Sequence, residues 1–219
     1  MNLQLKKSVT LASVLLSLVA VDAFAYQTGD TIVRGGLAYV SPNDESSLAG
    51  ADVVSVDDGF SLGFGGTYML SDQVGAELLL ALPFKHDING KGPLAGVAVG
   101  ETQQLPPTVS FQYYPDMGGS KVQPYVGVGI NYTTFFSEKL TSAAKTALDA
   151  HALALDDSLS FAAQAGVDFE VAPHCSVNVA YWYINIDTTA TVKTNTAGNV
   201  NIDVGIDPHV LLVGAAYKF

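Results

Sequence analysis

Residues able to do chemistry are sparse in this chain, and their spacing argues against catalysis. The four histidines, His86, His151, His174 and His209, form no HxH or HExxH pair and have no CxxC nearby, so no metal-binding pattern is present. Ser110 and Ser160 fall on one face of alternating segments, but neither has a histidine placed to serve as its base. Asp203 and Asp207 lie among a few other carboxylates without the spacing of an EF-hand. Gly63-Phe-Gly65-Gly66 sits inside an alternating segment and lacks the βαβ context of a nucleotide loop. Cys175 stands alone, so no disulfide forms within the chain. Neither a cofactor, a metal nor an enzymatic activity is expected. What remains is a small set of polar residues within largely apolar runs: Arg34, Glu77, Gln164 and Asp168.

These four become interpretable once the elements carrying them are identified. The last eleven residues alternate, with Phe219, Tyr217, Ala215, Val213 and Leu211 on one face and Lys218, Ala216, Gly214, Leu212 and Val210 on the other. Period two over this length, ending on an aromatic residue, fits a tilted membrane-spanning strand whose last side chain sits at the bilayer surface. Seven more runs alternate in the same way, giving eight expected strands near Asp30–Val40, Gly59–Met69, Gln73–Phe84, Gln104–Tyr114, Pro124–Thr134, Ser158–Val171, Ser176–Thr189 and Ile206–Phe219. Their connectors are short and long in turn, the asymmetry of an outer-membrane barrel with periplasmic termini and extended extracellular loops. In the third long loop, Leu140, Ala144, Ala147, Leu148, His151 and Leu155 recur at helical spacing, with Ser137 as the expected N-cap, so a short helix is predicted there.

The start of the chain reads as an export signal. Lys6 and Lys7 precede an apolar stretch from Val9 to Val21, and Ala23-Phe24-Ala25 has the small-x-small form of a cleavage site. Residues 1–25 are expected to be a signal peptide and residues 26–219 a single barrel domain. The formal net charge of −11 argues against a nucleic-acid partner, which would need a basic patch. Hydrophobic residues make up 48% of the chain, yet they are spread by alternation over many short runs, as a barrel facing lipid requires.

Phase along each strand then places the polar residues. Leu159, Phe161, Ala163, Ala165, Val167, Phe169 and Val171 face lipid, which turns Gln164 and Asp168 inward. Val126, Val128, Ile130 and Tyr132 face out, while Tyr125, Gly127, Gly129 and Asn131 face a narrow bore. A charge is costly on the lipid face, so Arg34 and Glu77 are expected in the lumen, paired across it as a structural plug. Further toward the extracellular end the inward set turns apolar, with Leu79, Ala81 and Pro83 on the third strand and Trp182, Ile184 and Ile186 on the seventh. A lumen that is polar below and apolar above points to a pocket for an apolar solute. Pro83, Pro106 and Pro107 lack N–H donors near the extracellular end of one strand pair, where a sideways opening into the membrane is expected.

Four stretches carry a resemblance to a known family: Tyr125-Val-Gly-Val-Gly-Ile-Asn-Tyr-Thr-Thr-Phe-Phe-Ser-Glu138, Tyr181-Trp-Tyr-Ile-Asn-Ile-Asp-Thr-Thr-Ala190, Leu105-Pro-Pro-Thr108 and the ending Tyr217-Lys-Phe219. In order, over essentially the whole mature chain, they resemble the outer-membrane protein W family. The resemblance implies an eight-stranded monomeric barrel whose narrow hydrophobic channel passes small apolar molecules and releases them sideways into the membrane. The alanine-rich third loop departs from the family pattern. Expected partners are outer-membrane lipid, small apolar solutes and the barrel-assembly machinery, which would read Tyr217 and Phe219 as an assembly signal. The alternative function is a structural or adhesive barrel acting through its extracellular loops.

Overall fold

The structure, a computed structural model, describes residues 25–48 and 51–219. The expected signal peptide therefore lies, apart from Ala25, outside the described residues. Fifteen strands follow in the order β1 Thr31–Ser41, β2 Glu45–Ser47, β3 Val54–Val56, β4 Gly59–Ser71, β5 Val74–Ala81, β6 Phe84–Gly90, β7 Ala98–Leu105, β8 Thr108–Tyr113, β9 Val122–Leu140, β10 Ala150–Leu155, β11 Ser158–Ala172, β12 Cys175–Ile184, β13 Asp187–Thr194, β14 Asn199–Gly205 and β15 His209–Lys218. The helix α1, Ser142–Ala147, falls between β9 and β10.

Eight of these strands, β1, β4, β5, β8, β9, β11, β12 and β15, pair antiparallel in a closed cycle and form a transmembrane barrel. The cycle closes where β1 meets β15, with Gly36 directly opposite Gly214. That closeness requires glycine: a Cβ on Gly36 would stand 2.6 Å from the Gly214 Cα. Outward residues such as Phe60, Leu62, Phe111, Ile130, Phe161 and Val213 are exposed, a continuous apolar exterior that only lipid covers. Aromatic side chains edge this band, including Tyr68, Tyr113, Tyr217 and Phe219 near the chain termini and Tyr39, Phe60, Tyr132 and Tyr181 toward the opposite end. Phe219 is docked by its N–H, which donates to the Thr31 carbonyl at 2.9 Å, and by an edge contact with Tyr217 at 4.6 Å between ring centroids.

The long connectors are not irregular. β3, β6 and β7 continue the sheet onto the far end of β9, and β10, β13, β14 and β2 form a second, four-stranded sheet. The two sheets face each other beyond the barrel and enclose an apolar space. Several expected boundaries move accordingly: the third strand ends at Ala81, the fourth begins at Thr108, the fifth runs on to Leu140 and the seventh ends at Ile184. The helix in the third long loop is present but shorter than its pattern. Thr141, whose Oγ1 accepts from the Ala144 N–H at 3.0 Å, caps it in place of Ser137, which lies in β9 with φ at 59°. His151 and Leu155 belong to β10, because pairing with β13 offers their backbone a ladder that an isolated helical turn lacks.

Candidate functional site: a lumen in two parts

The half of the lumen near the termini is filled by a hydrogen-bonded plug. Arg34 on β1, 3% exposed, donates from Nη2 to Asp168 Oδ2 at 2.6 Å, from Nη1 to Thr67 Oγ1 at 2.9 Å and from Nη2 to the Tyr114 hydroxyl at 3.1 Å. Its guanidinium carbon lies 4.7 Å from the centre of the Tyr125 ring. The expected Arg34–Glu77 pair is present at 3.7 Å, and Asp168 is a second, nearer partner that makes the tighter ion pair. Two N–H forks of a planar guanidinium suit the β11 carboxylate, which also accepts from the Tyr26 hydroxyl at 2.7 Å and from Asn178 Nδ2 at 2.8 Å. Glu77 accepts instead from Gln164 Nε2 at 2.9 Å and Ser110 Oγ at 3.3 Å, while Gln164 Oε1 accepts from Gln112 Nε2 at 3.1 Å. A buried charge is tolerated only when paired and hydrogen-bonded, and each of these charges is.

Arg34, Glu77, Gln164 and Asp168 thus converge in one network, which also holds Tyr26, Thr67, Gln112, Tyr114 and Asn178. Parity finds four of the five: Thr67 alternates with Phe64 and Tyr68 and so faces inward, Gln112 and Tyr114 share a strand face with Ser110, and Asn178 shares one with Trp182. Tyr26 precedes the first strand, where alternation carries no information.

Beyond the plug the lumen is apolar. A cavity of about 30 Å³ is lined by Ala38, Leu79, Phe84, Trp182, Ile184 and Leu212, among others, with Gln104 and Pro106 at its edge. Trp182 and Ile184 are buried and Leu79 is half-buried, so these three side chains converge here. Pro83 does not join them. It is exposed, and so is Leu82 before it, whereas Phe84 is buried. Two successive outward residues mean that the alternation slips by one at Leu82-Pro83, which turns Pro83 away from the lumen it was expected to line.

The same slip marks a break in the wall. Pairing of β5 with β8 ends at Leu79 opposite Thr108, and pairing resumes only where Phe84 on β6 faces Gln104 on β7. Leu80–Pro83 and Leu105–Pro107 face each other across this interval without a ladder. Leu82 turns to the other neighbour, its N–H donating to the Leu62 carbonyl at 2.9 Å. Pro107 is held to β9, its carbonyl accepting from the Tyr132 N–H at 3.0 Å, and neither Pro106 nor Pro107 has an N–H to offer β5. Leu80, 42% exposed on the outer surface, also lines the inner cavity, so only side chains separate cavity and exterior at this point.

A second apolar cavity, of about 40 Å³, lies between the two loop sheets, lined by Val54, Ile88, Phe135, Leu155, Val192 and Ile202 with others. Gln104 and His86 stand between this space and the first.

Comparison with known proteins agrees with this architecture. The OmpW family model matches residues 27–219. Outer membrane protein W of Vibrio cholerae serotype O1 is 40% identical over 219 residues, covering 98% of this chain and 100% of that one. The crystal structure of outer membrane protein OprG from Pseudomonas aeruginosa superposes with a TM-score of 0.81 at 40% identity, over 89% of this chain and 98% of that one. A more distant relative is the dibenzothiophene metabolism operon protein PahQ of Pseudomonas aeruginosa, 25% identical over 90% of this chain and 88% of that one.

Proposed function

We propose a function from the premise that the chain belongs to the OmpW family, whose named relatives are outer membrane proteins: it is a monomeric channel for passive uptake of small hydrophobic molecules, with lateral release into the membrane. The observation that carries this reading is the apolar cavity bounded on one side by a polar plug and on another by the unpaired Leu80–Pro83 and Leu105–Pro107 interval. An apolar solute reaching Trp182 and Ile184 would have to displace Arg34, Asp168 and their partners to go straight on. Leaving those charges unsatisfied costs several kcal/mol each, about what a buried ion loses with its partner. A sideways step past Leu80 leaves the Arg34–Asp168 pair and its partners undisturbed. PahQ, named for the metabolism of an apolar fused-ring sulfur compound, adds support from a relative.

The orientation that follows has the termini in the periplasm and the loop sheets outside the cell, with Tyr217 and Phe219 read by the assembly machinery. Replacing Trp182 with Arg would put a charge at the cavity wall. Uptake of an apolar solute by cells should fall to near the level of cells lacking the protein, while heat-modifiable mobility in detergent, a sign of a closed barrel, persists. Undiminished uptake by a correctly folded Trp182→Arg variant would leave the protein as a structural or adhesive barrel acting through its loops.

A further inference from the structure

His86, Thr102 and Gln104 are the polar side chains lining the second cavity; of these Gln104 also lines the first, and its hydrogen bonds are incomplete. Gln104 on β7 is 2% exposed and lines both cavities. Its Nε2 lies 3.1 Å from His86 Nε2, and His86 Nδ1 lies 2.8 Å from the Asp57 carbonyl oxygen. A carbonyl only accepts, so Nδ1 carries the imidazole proton and Nε2 of the neutral ring is an acceptor. Gln104 must then present its NH2 group to His86, which turns Oε1 away from the ring. That oxygen is buried and has no hydrogen-bond partner among the described residues. An unpaired buried acceptor is disfavoured, so a wall designed only for hydrocarbon would carry an apolar residue at this position.

We propose that Gln104 is a specificity-determining residue and that its free Oε1 selects apolar solutes bearing one hydrogen-bond donor, such as a medium-chain alcohol, over hydrocarbons of the same size. His86, anchored to the Asp57 carbonyl, is a positioning residue that fixes which face of the amide points into the path. The hydrocarbon part of the solute packs against Trp182, Ile184 and Leu79 on one side and Phe135, Ile88 and Val192 on the other, and its O–H meets Gln104 Oε1, the lining acceptor shared by both cavities. This inference rests on the uptake reading and gives it a ligand class.

Trp182 is the single tryptophan of the chain and lines the first cavity, so its emission reports occupancy directly. The full-length mature protein in lipid nanodiscs is titrated with three bromine-labelled quenchers: 8-bromo-1-octanol, its methyl ether and 1-bromooctane, each corrected for the amount dissolved in the lipid. The ether accepts a hydrogen bond but cannot donate one. The alcohol should quench Trp182 at about fivefold lower membrane concentration than the ether or the bromoalkane, the advantage of one net hydrogen bond. That preference should fall to about unity in Gln104→Met, which keeps the volume, and persist in Gln104→Glu, which keeps an acceptor. Equal quenching by alcohol and ether in the unaltered protein overturns the inference even if no variant folds, as does a preference that survives Gln104→Met. Absence of quenching by all three probes would sink the uptake reading together with it, whereas strong but unselective quenching sinks only the role of Gln104.

Discussion

Asp168 receives Arg34, Tyr26 and Asn178 from three separate segments, and its bond to Arg34 at 2.6 Å is the shortest ion pair in the lumen among the described residues. Removing it in Asp168→Ala leaves the Arg34 guanidinium with Glu77 at 3.7 Å as its remaining carboxylate, and breaking a buried pair in this way costs about 3–5 kcal/mol. The expected result is a clear drop in the temperature at which the folded band is lost in detergent gels, with an unchanged fold in the surviving population. His86 makes a different prediction at the same scale. Burial holds its imidazole below the usual histidine range, against weaker upward pulls from the Asp57 carbonyl and from the carboxylates of Asp57, Asp58 and Asp87. The unfolded chain therefore binds this proton at a higher pH than the folded one does. Stability from the neutral ring is full above the ordinary value of 6.5 and is lost as pH falls below it, levelling off once the folded ring is also protonated. Protection of the β6 and β7 amides against exchange, after correction for the intrinsic slowing of exchange in acid, should fall between about pH 7 and pH 5, and this pH slope should be flatter in His86→Gln.

At the scale of elements, the barrel strands were legible because lipid outside and a packed lumen inside enforce strict alternation. Parity alone puts Ile130 and Phe161 outside and Gln164 and Asp168 inside. It failed where that constraint lapses. The slip at Leu82-Pro83 follows from prolines that end the ladder, so Pro83 faces outward although counting from Leu79 puts it in the lumen. The strands β6, β7, β10 and β14 and most of β13 lie beyond the length needed to cross a membrane and fall in the expected extracellular loops, although Val200, Ile202 and Val204 alternate as clearly as many barrel residues. That Asp168 lies nearer Arg34 than Glu77 does depends on the shear between distant strands, which no local pattern encodes. Two elements give direct tests. Gly36→Val, at the seam where Gly36 and Gly214 face each other, should prevent β1 from closing on β15 and yield chain that never acquires heat-modifiable mobility. Deleting Phe219 removes the aromatic contact to Tyr217 and the hydrogen bond to the Thr31 carbonyl, and should leave the truncated chain unassembled in the periplasm; normal outer-membrane levels of that chain would count against an assembly role.

For the whole molecule, the division of the lumen defines what can pass. A polar plug occupies one part, two apolar cavities that share Gln104 occupy the other, and among the described residues the wall between β5 and β8 lacks a ladder beside the apolar part. Under the proposed function, water and ions would meet an apolar constriction and apolar solutes a charged floor, and the unpaired interval would be the path that leaves the plug intact. The most direct test is the uptake rate of a radiolabelled apolar solute by cells carrying the unaltered protein, Pro106→Ala with Pro107→Ala, or no protein. Restored N–H donors should let β5 and β8 pair further and narrow the interval. Lateral release predicts several-fold faster uptake with the unaltered protein than without it, and a double variant that assembles normally yet falls most of the way back. Uptake by the double variant equal to that of the unaltered protein, at equal membrane levels, would contradict it.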